Sequence, residues 1–504
     1  MQIHWHRRDL RVDDNLALHD AATAVGGGET DESDGDESGA DEADGGGDSD
    51  EHGDGGDIEG VLPVFVFDPG VLEFASPPRV RFLLDALAEL RAAYRERGSE
   101  LLVRQGDPST VIPNVAYEYE ADRVVWNHDY SGLAQERDEA VRAALDEQDT
   151  AHEEFHDAIH HEPGSITTNE GKYYSVYTYF WKKWRDREKA APVDAPDGSA
   201  LVAAEHVDDE DRGLPSIGDL GFDEPEADVP TAGTEAARDR LESFCDGPIY
   251  SYEEDREYPA REGTSRLSTD LKYGTLGIRE VYEATAEARE GAGGEEDESA
   301  EEFQSQLAWR EFYTHVLHFN PEVVTENFKE YANPIGWREP GDDLEAWKAG
   351  ETGYPIVDAG MRQLREEAYM HNRLRMVVAS FLTKDLILDW RHGYEHFRER
   401  LADHDTSNDN GGWQWAASTG TDAQPYFRVF NPMTQGERYD PDAAFIREYV
   451  PELEGVDADT IHSWHELDED EREDAAPDYP APIVDHSERR EEAIETFEAA
   501  RGDD

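Results

Sequence analysis

The apolar pattern changes character once along the chain, near residue 246, and that change dictates the architecture. Before it, Gln2–Trp5, Val61–Phe67, Leu101–Arg104 and Arg123–Asn127 read as short buried strands. Between them, Pro78–Arg97 and Gln135–Leu145 carry helical periodicity. Strands alternating with helices predict an α/β domain, a parallel sheet with helices on both faces, over 1–150. After the change, Ile278–Ala288, Glu301–Phe319, Gly360–Ala368, His371–Leu388 and Tyr394–Leu401 are helical and aromatic, with almost no strand signal. The expected layout continues with an interdomain linker over 151–245, an all-α domain over 246–450, and an acidic C-terminal extension over 451–504. The extension has one candidate helix, Ser487–Ala500. Residues 26–60, almost wholly Gly, Asp, Glu and Ser, predict a disordered insert in the first domain.

Charge sets the next constraint. The chain has 46 basic and 119 acidic residues, a formal net charge of −73. Such an imbalance first suggests disorder. Against that, 11 Trp and 22 Tyr in periodic apolar segments demand a core. A folded chain with this surface fits a salt-filled cytoplasm, where repulsion is screened within about 3 Å at molar ionic strength. Halophilic adaptation follows. The charge also argues against a broadly basic nucleic-acid-binding face, leaving room for a local basic patch. The single Cys245 excludes an internal disulfide framework and a Cys-rich metal site, and no metal is expected. The N-terminus is charged from the start, and no apolar run approaches the roughly 18 residues of a membrane span. A cytoplasmic protein without membrane contact, a monomer, is the expectation.

Three segments of the helical half carry candidate chemistry. In Glu262-Gly-Thr-Ser-Arg-Leu-Ser268, Gly263 allows close backbone approach, and Thr264, Ser265 and Ser268 place hydroxyls beside Arg266 at a helix start. Free N–H groups there suit a diphosphate, although an ordinary capped helix reads the same way. In Tyr369-Met-His-Asn-Arg-Leu-Arg-Met376, Asn372, Arg375 and Met376 share a helical face. An Arg leading into a buried helix needs a partner, which Asp403 or Asp405 can supply, as a structural pair or within a cofactor site. In Asn408-Asp-Asn-Gly-Gly-Trp-Gln-Trp-Ala-Ala-Ser-Thr-Gly420, Gly411 and Gly412 let backbone approach a flat ligand. Trp413 and Trp415 point to different places; in isolation such a pair is packing.

Taken in this order, the three segments resemble the photolyase/cryptochrome family. The resemblance includes Trp5-His-Arg-Arg-Asp-Leu-Arg-Val-Asp-Asp-Asn15 and Gly171-Lys-Tyr-Tyr-Ser-Val-Tyr-Thr-Tyr-Phe180, and runs nearly unbroken from Tyr252 to Asp440. The Met-His-Asn-Arg-Leu-Arg-Met and Gly-Gly-Trp-Gln-Trp forms look like class I cyclobutane pyrimidine dimer photolyases. The resemblance implies FAD bent within the helical domain. Tyr252, Thr264, Ser265, Arg266, Leu267 and Ser268 would surround its diphosphate. Gln306, Arg310, Asn372, Arg375, Asp403, Asp405 and Asp409 would line flavin and ribose, with Arg375 and Asp403 paired beside the isoalloxazine. A pyrimidine dimer everted from DNA would sit between Trp309 and Trp415, with Asn372 and Met376 as the floor. Trp413, Trp390 and Trp337 match a relay that photoreduces the flavin. Backbone contacts to dimer-containing DNA would come from Arg256, Arg373 and Arg428, with Lys182 and Lys183. The implied activity is that of a lyase: reduced FAD, excited by light, lends an electron that splits the cyclobutane ring.

The chain departs from that pattern in places. Gln306 stands where class I enzymes usually have Glu, a change that resembles 6-4 photoproduct photolyases. Those enzymes, however, carry a His-His pair where this chain has His371-Asn372. Asp409 stands where repair enzymes typically have Asn and plant cryptochromes have Asp, which keeps a blue-light photoreceptor reading open; the plant group lacks the Trp309 and Trp415 pair. The segment Tyr130-Ser-Gly-Leu-Ala134 lacks the Asn-Glu pair that holds methenyltetrahydrofolate in folate-type members, so a deazaflavin is the expected antenna chromophore, if any.

Overall fold

The computed structural model describes residues 1–26, 58–208 and 211–502. Five parallel strands form one sheet in the order β3-β2-β1-β4-β5. They are β1 Gln2–His6, β2 Val61–Phe67, β3 Leu102–Gln105, β4 Arg123–Asn127 and β5 Ala151–Phe155. Helices cover both faces, so the central strands need no polar alternation, and β2 is buried at every position. One face packs Leu18, Val61, Phe65, Phe82 and Leu87; the other packs Ile3, Trp5, Leu62, Ile112 and Trp126. Pro63 sits inside this central strand without breaking it. Gly60 accepts from the Gln2 N–H while Val61 accepts from Val202 on the opposite side, so odd-numbered residues of β2 turn away from β1. The missing N–H of Pro63 therefore falls on the β3 side, one residue before pairing with β3 begins at Val64.

The structure corrects several boundaries. β5 lies just beyond the expected end of the first domain at 150; as an edge strand of sequence Ala-His-Glu-Glu-Phe it carries no apolar run to announce it. The span 151–245 is more than a linker. It also holds the helices Tyr177–Asp186 and Thr234–Cys245, whose Tyr177, Phe180, Trp184, Leu241 and Phe244 are buried in the helical core. The C-terminal extension is likewise folded in: Trp464, Tyr479 and Phe497 are buried, and the final helix spans His486–Arg501. The expected insert at 26–60 lies largely outside the described residues. The periodicity over His371–Leu388 divides into an α-helix, Asn372–Ser380, and a buried π turn, Phe381–Asp385.

Buried charges join the sheet domain to the helices. Arg279 reaches Asp14 and Asp157 at 2.6 Å each, and Arg11 reaches Asp157 at 2.6 Å. Arg8 bridges to Asp405 at 2.8 Å. Gly274, at φ +64°, makes the close approach possible: a Cβ there would stand 2.3 Å from the Arg8 carbonyl oxygen.

Candidate active site

Tyr252, Thr264, Ser265, Arg266, Leu267 and Ser268 line one cavity of about 210 Å³ together with Tyr369, His371, Asn372 and Arg373. The turn is made by Arg266, which adopts a left-handed φ of +54°. Its guanidinium leaves the turn to pair with Glu367 at 2.6 Å and to cover the Tyr369 ring at 4.1 Å. The close approach expected of Gly263 exists, but toward Asp255: a Cβ would lie 2.4 Å from that side chain.

His371, which the motifs gave no cofactor role, supplies a donor here. The Arg373 N–H donates to its Nδ1 at 3.2 Å, so the ring proton resides on Nε2. Burial, with Arg266, Arg373 and Arg375 nearby, pushes its pKa down to about 3, so the ring is neutral. Nε2 is buried and has no hydrogen-bond partner among the described residues. A neutral N–H facing a hydroxyl-rich, Arg-flanked cradle fits a diphosphate oxygen. No signal in sequence distinguishes this histidine, because its tautomer depends on a turn that only the fold shows.

A second cavity, of about 350 Å³, shares Arg256, Gln306 and Asn372 with the first. Trp309, Trp415, Met376, Arg310, Arg375, Asp409 and Trp413 also line it, along with Tyr313, Phe397 and Asn408. The two indoles thus frame one hollow. Trp309 is held flat against Tyr177, centroids 3.6 Å apart and planes 12° apart, while Trp415 leans on Phe430 at 6.4 Å. Gly412 has open space beside it, as a ligand-facing glycine should. Gly411 does not: a Cβ there would meet the Tyr313 ring at 2.3 Å, so its role is packing, contrary to the expectation.

Arg375 is fixed from three sides. It donates to Asp403 at 2.7 Å, to Asp409 at 3.3 Å and to the Met370 carbonyl at 2.8 Å. Burial works against its charge, but the two carboxylates raise its pKa overall. Asp409 also stands 2.7 Å from His404 Nδ1 and accepts the Asp405 N–H at 3.2 Å. Asp403 reaches the cavity through Arg375, and its buried Oδ1 has no hydrogen-bond partner among the described residues. Asp405 caps the Thr406–Ala416 helix and spends its other oxygen on Arg8; Arg8, Lys272 and Arg310 hold its carboxyl well below the usual range despite burial. Arg310 donates to the carbonyls of Ala158 and Leu271.

The three relay candidates occupy distinct settings. Trp413 and Trp390 are buried and Trp337 is half-buried. The Trp413 ring presses on the Trp390–Arg400 helix, where a Cβ on Gly393 would come within 2.0 Å of it. Trp390 donates its indole N–H to Asn327 at 2.9 Å, and Trp337 meets Phe497 of the final helix at 5.6 Å. Among the expected DNA contacts, Arg256 is paired with Glu302 and Arg373 with Glu257, whereas Arg428, Lys182 and Lys183 are exposed.

A third cavity, about 300 Å³, lies where the sheet domain meets the helices. Arg8, Arg79, Arg137, Lys272, Arg310 and Arg398 line it around Asp129, with Val71, Phe74, Leu133 and Tyr394 as apolar walls. Burial and the neighbouring Arg8 push the Lys272 pKa down to about 8. The segment Tyr130–Ala134 forms part of this wall.

Residues 2–197 match the DNA photolyase family, and residues 303–499 match the FAD binding domain of DNA photolyase. The chain is 60% identical to the deoxyribodipyrimidine photo-lyase of Halobacterium salinarum over the whole length of both. A bacterial class III photolyase from Agrobacterium tumefaciens superposes with a TM-score of 0.84 at 34% identity, covering 99% of this chain and 98% of that one. An archaeal photolyase from Sulfolobus tokodaii, solved with two FAD molecules, gives 0.79 at 30% identity over 99% of both chains. No helix among the described residues is long and apolar enough to cross a membrane. The sheet and the helical half agree with these matches, and the chain belongs to the photolyase/cryptochrome family.

Proposed function

We propose that this chain is a deoxyribodipyrimidine photolyase that binds FAD in the helical half and repairs cyclobutane pyrimidine dimers in DNA. The observation that carries the reading is one hollow framed by Trp309 and Trp415, floored by Asn372 and Met376, and continuous with a cradle suited to a diphosphate. Bound FAD supplies light-driven electron donation and recovery; the side chains do the rest. The two indole faces take an everted dimer by stacking, at about 1–3 kcal/mol for each base. Arg375, anchored by Asp403 and Asp409, offers positive charge where electron density gathers on the reduced cofactor. The orphaned donor of His371 and the hydroxyls of Thr264, Ser265 and Ser268 bind the diphosphate, and Tyr252 and Leu267 wall the cradle. Trp413, Trp390 and Trp337 form the path that reduces the cofactor from the surface. Arg428, Lys182 and Lys183, which make no ion pair among the described residues, hold the strand by its phosphates, while Arg256 and Arg373 contribute from the rim.

The class I assignment rests on the motifs, since a class III enzyme shares the fold. A sensory role would rest on Asp409, and its engagement with Arg375 and His404 favours a structural counter-ion over a signalling group. The cation-lined interdomain cavity supports an anionic antenna, and the missing Asn-Glu pair favours a deazaflavin over a folate. We assign the protein to a salt-rich cytoplasm, as a monomer.

The test mixes reduced flavoprotein with dimer-containing single-stranded DNA in molar salt under blue light. Thymine absorbance should recover; bound flavin without recovery would remove the repair claim. Trp415→Ala should weaken dark binding of dimer DNA at least about fivefold, the low end of one lost stack, with flavin content unchanged.

A further inference from the structure

Gln306 stands where the family resemblance leads one to expect a carboxylate, and the fold gives it a neighbour. Its Nε2 donates to Glu302 Oε1 at 2.8 Å, one turn back on the Glu295–Phe319 helix. The reversed amide would set two oxygens against each other, so this contact decides which end faces Glu302. The other end, the carbonyl Oε1, is left for the cavity that Gln306 lines with Trp309, Asn372 and Met376. Glu302 is itself held by Arg256, whose guanidinium lies 5.4 Å from the Tyr252 ring.

We propose that Glu302 is a positioning residue: with Arg256, it locks Gln306 as a hydrogen-bond acceptor toward the everted pyrimidine. The inference rests on reading this cavity as the lesion pocket. A neutral amide so locked offers the oxygen a glutamate would offer. Thymine presents one ring N–H between two carbonyl oxygens, so a fixed acceptor in the pocket selects bases that keep that N–H. An unlocked amide offers donor and acceptor alike and selects neither. The charged and titratable groups facing Glu302 are Arg256, Glu253 and Tyr252 on one side and Tyr177 from the Tyr177–Asp186 helix on the other. Burial raises the Glu302 carboxyl and Arg256 opposes the rise.

The experiment measures dark binding of thymine-dimer DNA by flavin-loaded protein. Glu302→Gln frees the Gln306 amide, and affinity should fall about tenfold with flavin content unchanged. The exchange E302Q/Q306E reverses the roles, an amide donating to a carboxylate, and should restore most of the loss. Wild-type protein should bind a dimer methylated at the ring N–H about tenfold more weakly than the plain dimer, and Glu302→Gln should narrow that gap. Glu302→Gln binding like the wild type, a double variant no tighter than the single, or a wild type indifferent to methylation would each overturn the proposal. A wild type that prefers dimer DNA no more than undamaged DNA overturns the lesion-pocket reading as well; a dimer preference left undiminished by Glu302→Gln overturns only this inference.

Discussion

The cavity between the domains and the cavity within the helical domain are made of opposite materials. The first gathers six cationic side chains around Asp129, in a chain whose net charge is −73. The second is walled by Trp309, Trp415, Tyr313, Phe397 and Met376, and its central cation, Arg375, is matched by Asp403 and Asp409. The contrast separates two electrostatic regimes in one molecule. Surface acids are screened by salt within about 3 Å at molar ionic strength. Charges in the interior keep their partners and their effect. An acidic exterior therefore does not conflict with recognition of an anion in a cavity lined by half-buried cations.

The comparison breaks most sharply at Arg375. Arg375→Leu leaves the Asp403 and Asp409 carboxylates buried without their counter-charge, at a cost of about 3–5 kcal/mol. Flavin content and thermal stability should both fall steeply, read by visible absorbance and calorimetry. A variant that keeps its flavin and melts with the wild type would show that the pair is solvated and incidental.

A smaller effect is expected in the other cavity. Lys272 is half-buried among cations and makes no ion pair within 4.0 Å among the described residues. Lys272→Met should leave flavin content and melting temperature near wild type while lowering antenna occupancy about tenfold, the loss of one charged hydrogen bond. The readout is the absorbance ratio of antenna to flavin after reconstitution with a deazaflavin. An unchanged ratio would detach this cavity from the antenna.

What could be read in the sequence follows the same division. β2 was legible to the residue because seven buried positions leave one interpretation. That Tyr252 and residues 264–268 line one cavity, and Trp309 and Trp415 another, was expected only through the family resemblance, which contiguous motifs carry. β5, at the sheet edge, gave no apolar signal. Tyr177 could not be recognised as the support of Trp309, nor Arg8 as the partner of Asp405, because those contacts span 132 and 397 positions. The Gly411 misreading has a similar cause: a glycine needed for close approach does not say what approaches, and Tyr313 fills the space. Arg256, expected at phosphate, also pairs with Glu302, 46 positions away on another helix, a contact that motif matching does not weigh.

The seam between the two regions offers the subtlest test. Glu311, on the Glu295–Phe319 helix, accepts the N–H groups of His160 at 2.8 Å and His161 at 3.1 Å, just beyond β5. Burial pushes its pKa up to about 7, with the Trp184 indole and those two N–H groups opposing. Beside it, His315 is pushed down to about 4, also by burial. Between pH 4.5 and 7 the native Glu311 holds a proton that the unfolded chain releases, so its contribution to stability falls as pH rises. Between pH 4 and 6.5 native His315 lacks a proton that the unfolded chain binds, so its contribution rises with pH. The two slopes oppose each other where the windows overlap. Glu311→Gln removes the falling one, and the stability of the variant should climb relative to wild type by up to about 1.4 kcal/mol per pH unit across that range. Denaturant unfolding in molar salt at half-unit pH steps measures the difference, and the high salt keeps the surface acids from contributing to it. Parallel curves for the two proteins would mean that water reaches Glu311, and that the seam belongs electrostatically with the surface rather than with the buried cavities on either side of it.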